Sequence, residues 1–247
     1  MNSQTNNSKI SPTIKDCLKF ARYMYFPLSK KEKKDILSTF EEKVEKYSPL
    51  IEKRTGIEMG KVEVKPFNQL TDEIIDKVSS EKDYCTPGWF SKNIIVKPIF
   101  NLVRMTAEEI VMGKYGDYDT PSIYVPLGYS MKMELFGNYM AKKGQKIDEI
   151  VVHELTHHLW RQINPKDKGI TGKNSSLWNE GFATYGATRW FKEFYPSSNL
   201  ETNQPSKYLK GRNKIEKLVE EKGESALLEI PNKWKEFDKE FNQSISR

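Results

Sequence analysis

The 247-residue sequence predicts an α+β fold in a single unit. Three observations carry that expectation. Apolar residues recur at helical spacing through most of the chain, a few short stretches show strand patterning instead, and no internal repeat or long linker separates the two kinds. Three consecutive parts are expected: N-terminal helices over residues 1–56, a lobe with a small mixed sheet over 57–147, and a helical lobe over 148–247.

The elements follow in order. Behind a polar lead, Ser11-Pro12 opens a helix with Ile14, Cys17, Leu18 and Ala21 on one face, closing before Pro27. Ser29 starts a long charged helix in which Ile36, Leu37, Phe40, Val44, Tyr47 and Ile51 keep helical spacing; Pro49 kinks or restarts it, and Gly56 stops it. Lys61-Val62-Glu63-Val64-Lys65 then alternates strictly, as a half-buried strand does. Thr71 to Ser80 reads as helix and Asn93 to Phe100 as strand, while Thr106 and Glu109 form a capping box for a short helix towards Gly113. A turn at Tyr118 to Pro121 leads into a strand at Ser122-Ile123-Tyr124-Val125-Pro126. Met131 to Lys142 is helical, with its methionines as core filler.

Asp148 to Arg161 carries apolar Ile150, Val151, Leu155, Leu159 and Trp160, has no Gly or Pro, and places Asp148 and Glu149 in its first turn. That is a helix ending before Asn164-Pro165. Ser175 or Ser176 caps the next, which runs from Trp178 to Phe194 and stops at Pro196. A helix over Pro205 to Lys222, a break at Gly223 and a last helix after Pro231 complete the chain.

Composition excludes several classes. An aromatic content of 12% supplies a core and argues against disorder. No stretch reaches 18 consecutive apolar residues, and Met1 to Lys9 holds no apolar core behind a basic start, so neither a membrane span nor a secretory signal is expected. Cys17 and Cys85 are too few for a disulfide framework and sit at no metal spacing, which places the chain in a reducing, cytoplasmic compartment. The net charge of +6 comes from 40 basic against 34 acidic residues, interspersed as in Lys30–Lys34 followed by Asp35. This is a solvated surface without the basic stripe of a nucleic-acid binder, so no nucleic-acid or membrane partner is expected.

All three histidines of the chain fall within six residues: His153, His157 and His158. His153-Glu154-Leu155-Thr156-His157 matches H-E-x-x-H on a helix. Each helical residue advances about 100°, so His153 and His157 lie about 40° apart and face one side, where their nitrogens can bind one zinc ion at about 2.0–2.1 Å. Glu154 beside the first ligand is then placed to take a proton from a zinc-activated water and return it to a leaving amine. His158, about 100° round from His157, cannot share that ion. A catalytic zinc usually has three protein ligands, so the third must be a carboxylate or a Cys, and Leu177-Trp178-Asn179-Glu180-Gly181-Phe182-Ala183-Thr184-Tyr185 presents itself.

Asn179-Glu180-Gly181-Phe182-Ala183 after H-E-x-x-H resembles the second zinc helix of gluzincin metallopeptidases, with particular similarity to large zinc aminopeptidases and to the small archaeal minigluzincins. The resemblance covers roughly Asp148 to Trp190. It implies a zincin-like fold with zinc between the sheet lobe and the helical lobe, and hydrolysis of a peptide or protein substrate. It also implies Glu180 as third zinc ligand beside His153 and His157, and Glu154 as general base. Ala183, Thr184 and Ala187 share the face of Glu180 and would allow close approach to the His helix, while Gly181 within a helix, at about 1 kcal/mol relative to Ala, asks for a packing reason.

The chain departs from the family at three points. Thr184 stands where thermolysin-like peptidases carry an Asp that orients a zinc-bound His, which leaves that supporting acceptor open. No Gly-x-Met-Glu-Asn string is present, so exopeptidase specificity does not carry over. The family's oxyanion-stabilising tyrosine has candidates in Tyr195 and Tyr208 by order and Tyr185 by proximity, and the role stays unassigned, with Tyr185 read as core. The strand at Ser122–Pro126 resembles the family's cleft-bordering edge strand; an internal strand is the alternative. The expected activity is zinc-dependent peptide hydrolysis. The alternative is a zinc-binding protein without turnover or a latent one: minigluzincins are thought to be blocked by their own terminal segment, and the residues after Pro196 could reach back in that way or complete the helical lobe.

Overall fold

The computed structural model of the chain describes residues 28–67, 69, 114–117, 121–125, 127, 145–166, 173–195 and 206–245. The helices expected after Ser11, at Thr71–Ser80, after Thr106 and at Met131–Lys142, and the strand at Asn93–Phe100, lie outside the described residues.

Helix α1, Lys30–Thr55, is fixed at both ends by local chemistry. Ser29 Oγ accepts from the Glu32 N–H and the Glu32 carboxylate accepts from the Ser29 N–H, so two donors left over at the helix start are satisfied together. Gly56 ends it at φ 71°, where a side chain would be strained, and returns its N–H to the Glu52 carbonyl. The helix continues through Pro49, so the expected restart does not occur. Ile36, Phe40, Val44, Tyr47 and Ile51 form its buried face, as the spacing requires.

The sheet has three described strands: β1 (Glu63–Pro66), β2 (Lys114–Asp117) and β3 (Pro121–Val125), in the order β1-β3-β2. β3 pairs parallel with β1, Val64 opposite Ile123, and antiparallel with β2, Tyr115 opposite Ile123. It is therefore an internal strand, and the edge-strand expectation for it is corrected. Ser122 to Val125 are fully buried, which fits a strand enclosed on both edges and covered on both faces.

Helix α2, Gln145–Ile163, is central among the described elements, touching α1, β2 and β3 as well as α3 (Lys173–Tyr185). It starts three residues earlier than expected and ends where Asn164-Pro165 stops it. α3 begins at Lys173, so Ser175 and Ser176 lie inside its first turns and not at its cap. Its expected single run to Phe194 is broken up: a π-helical turn spans Gly186–Trp190, closed by the Phe191 N–H on the Gly186 carbonyl, and a 3-10 turn follows at Lys192–Phe194.

Helix α4 (Ser206–Lys222), a 3-10 segment (Glu224–Glu229) and α5 (Ile230–Ile245) complete the helical lobe. Leu227 and Ile230 are fully buried, and the Asn164 side-chain amide donates to the Pro231 carbonyl at 2.7 Å, so the described residues after Gly223 are built into the core beside the end of α2. One cluster of buried apolar side chains runs from α1 through β3, α2 and α3 to α5, including Phe40, Ile123, Leu155, Phe182 and Phe237. The described residues thus form an α+β architecture with one small mixed sheet. None of the described helices is long and apolar enough to cross a membrane.

Candidate metal centre

The helical spacing of His153 and His157 places their Nε2 atoms 3.2 Å apart on one side of α2. From α3, Glu180 brings Oε2 to 3.5 Å from His153 Nε2 and 3.4 Å from His157 Nε2. The three atoms make a nearly equilateral triangle. Ligand atoms held 2.0–2.1 Å from one tetrahedral ion lie about 3.3 Å apart, so the triangle has the size a single ion requires. Glu180 Oε2 is also buried without a hydrogen-bond donor, a costly position for a carboxylate oxygen unless a cation takes the place of the donor. His153, His157 and Glu180 could therefore hold one metal ion. Their side chains keep 17%, 12% and 25% of their exposure, so the group opens to solvent on one side.

The electrostatics agree with a cation site. Burial alone would raise the Glu180 carboxyl, but the imidazoles of His157 and His153 hold it well below the usual carboxylate range. Burial lowers His157, yet Glu180 first, with Glu154 and the neighbouring Asn179 side chain, outweighs it and leaves its pKa raised. Glu154 is 6% exposed, on the same helix as the two histidines and next to the first.

Close approach of α2 and α3 depends on small residues. A Cβ on Gly186 would stand 2.6 Å from the Thr156 side chain, and Ala183 and Thr184 are fully buried nearby in sequence. The Thr184 hydroxyl is buried without a hydrogen-bond partner, so no acceptor role for it is found at the position where a carboxylate was missed. Gly181 faces elsewhere: its Cβ would collide with the backbone of Gly211 on α4.

The remaining candidates separate cleanly. His158 is 1% exposed and bonds to the Met59 carbonyl, away from the other two histidines, as its angle on the helix predicts. Tyr195 donates to the Ala187 carbonyl and packs edge-on against Tyr47, making it a core residue. Tyr185 is partly buried against the core, as expected. Tyr208, named from chain order alone, is the tyrosine at the site: its ring stacks on His153 with centroids 6.0 Å apart and planes 29° apart. Burial, then the charges of Glu180 and Glu154, push its phenol up to about 12. No protein-family model, curated protein or solved structure matches the chain.

Proposed function

We propose that the chain is a zinc-dependent peptide hydrolase of gluzincin type with a zincin-like fold. The observation that carries this reading is the triangle of His153 Nε2, His157 Nε2 and Glu180 Oε2, sized for one ion, with Glu154 adjoining it. Two imidazoles and one carboxylate are a donor set of catalytic zinc sites, which keep a fourth position open, whereas structural zinc is closed by four Cys or His ligands. When bound, zinc polarises the scissile carbonyl and makes a water acidic enough to attack near neutral pH.

The chain's own residues supply the rest. Glu154 accepts the proton of the attacking water and delivers it to the amine that leaves, so one carboxyl serves as base and then as acid. Tyr208 keeps its phenolic proton through neutral pH and donates it towards the carbonyl oxygen as negative charge grows there. Partly exposed ligands leave room for an extended peptide.

The test is a quenched-peptide hydrolysis assay on the zinc-loaded protein beside Glu154→Gln. The variant is expected to bind zinc as the parent does while its turnover falls by about 100-fold or more. Hydrolysis by Glu154→Gln at the parent rate would remove Glu154 as the base.

A further inference from the structure

Helices α3 and α4 touch at one place without any side chain between them. A Cβ on Gly181 would lie 2.4 Å from the carbonyl carbon of Gly211 and 2.7 Å from its oxygen. One on Gly211 would lie 2.4 Å from the Leu177 carbonyl oxygen and 2.7 Å from the Gly181 Cα. Ordinary contact starts at 3.4 Å, so one methyl group at either position would drive the helices apart by roughly 1 Å. Neither glycine has a positive φ. Each is therefore less favourable than Ala in a helix interior without being needed for the backbone conformation. Close approach is what they serve.

The crossing sits between two working parts of the site. Gly181 directly follows Glu180, which offers its carboxylate to the metal. Tyr208 precedes Gly211 by three residues, about 60° round α4, and its ring lies against His153. On the far side of the same crossing, Lys214 is tied to Asp238 at 2.7 Å and lies over the Trp178 ring. We propose that Gly181 and Gly211 are positioning residues: their backbone-on-backbone crossing sets how closely α4 presents Tyr208 to His153 and the metal ligands. A side chain at the crossing would leave both helices formed and withdraw the phenol from the site.

The chain has only three histidines, so their ring protons can be followed one by one by NMR. The Tyr208 ring current displaces those of His153, and Tyr208→Leu gives the reference without it. In Gly211→Ala and Gly181→Ala the His153 signals should move most of the way to that reference. The His158 signals, held by the Met59 carbonyl in the core, should stay in place and report an intact fold. Lys214→Met cuts a separate tie of α4 and should leave His153 unmoved. Unchanged His153 signals in folded glycine variants would overturn the proposal. So would a displacement in Lys214→Met as large as in Tyr208→Leu, since general packing would then place the tyrosine; that second arm decides even if the glycine variants do not fold.

A kinetic arm rests on the proposed hydrolase reading. Gly211→Ala and Tyr208→Phe should each lower kcat about 100-fold, with KM within about twofold and no further loss in the double variant. Additive losses would count against the shared mechanism. Absence of hydrolysis by the parent protein would defeat the hydrolase reading while the NMR result still decides the role of the crossing.

Discussion

In the proposed hydrolase, Glu154 and Glu180 would carry the same carboxyl group to different tasks because their surroundings differ. Glu180 meets two imidazoles and keeps an oxygen without a donor, as a ligand would; Glu154 is buried one residue from His153, as a base would be. Asn179 is among the groups that raise His157, and a supporting part for it is measurable. If its side chain supports that imidazole, Asn179→Ala should weaken zinc binding about 10- to 100-fold in a chelator competition. An unchanged affinity would reduce Asn179 to a packing residue. The two candidate histidine ligands were legible in the sequence because i, i+4 geometry converts spacing directly into a shared face. Tyr208 could be named only as one of three tyrosines: it lies 28 residues beyond Glu180 across a break, and only the path of α4 brings it to His153. The partner of Gly181 was not legible, because one glycine in a helix announces a close approach without saying to what.

At the scale of elements, α3, α4 and α5 are locked by one polar junction: Asp238 accepts from the Trp178 indole at 2.9 Å and pairs with Lys214 at 2.7 Å. Burial raises the Asp238 carboxyl, but Lys214 and Trp178 outweigh it and hold its pKa below the usual value. The junction's stabilisation is therefore complete above the unfolded-state pKa of about 3.9 and is lost as pH falls through the lower folded value. Urea midpoints should drop on the acid side below about pH 4, and Asp238→Asn should flatten that limb while lowering the midpoint near neutrality. An equally steep acid limb in the variant would place the titrating group elsewhere. Element boundaries were readable where capping chemistry marks them, as at Ser29 and Gly56. The π turn after Tyr185 was not: its first residue, Gly186, lies against Thr156 of α2, and that long-range contact is not written in the local sequence. The internal place of β3 depends likewise on which strands flank it, and a five-residue apolar run does not encode its neighbours.

For the whole molecule, the described residues share one core that reaches from α1 to α5, and the site lies where α2 and α3 meet within it. The residues after Gly223 contribute Leu227, Ile230 and Phe237 to that core. Losing a buried residue of this size costs about 2–5 kcal/mol, against a total stability of about 5–15 kcal/mol. A chain ending at Gly223 should accordingly lose its cooperative thermal transition by circular dichroism. A folded, more active truncated chain would instead support self-inhibition by the C-terminal segment. The α+β class and the helical character of the last hundred residues followed from periodicity, whereas the way α2, α3 and α4 converge on the candidate site did not, because it is a property of crossing geometry. The most direct measurement is zinc per chain by native mass spectrometry, taken on the purified protein and on Glu180→Ala with thermal unfolding alongside. One zinc per parent chain that raises Tm, with no retained zinc in the variant, is the predicted result. Equal zinc in both proteins, or none in the parent at saturating supply, would contradict a metal centre built from His153, His157 and Glu180.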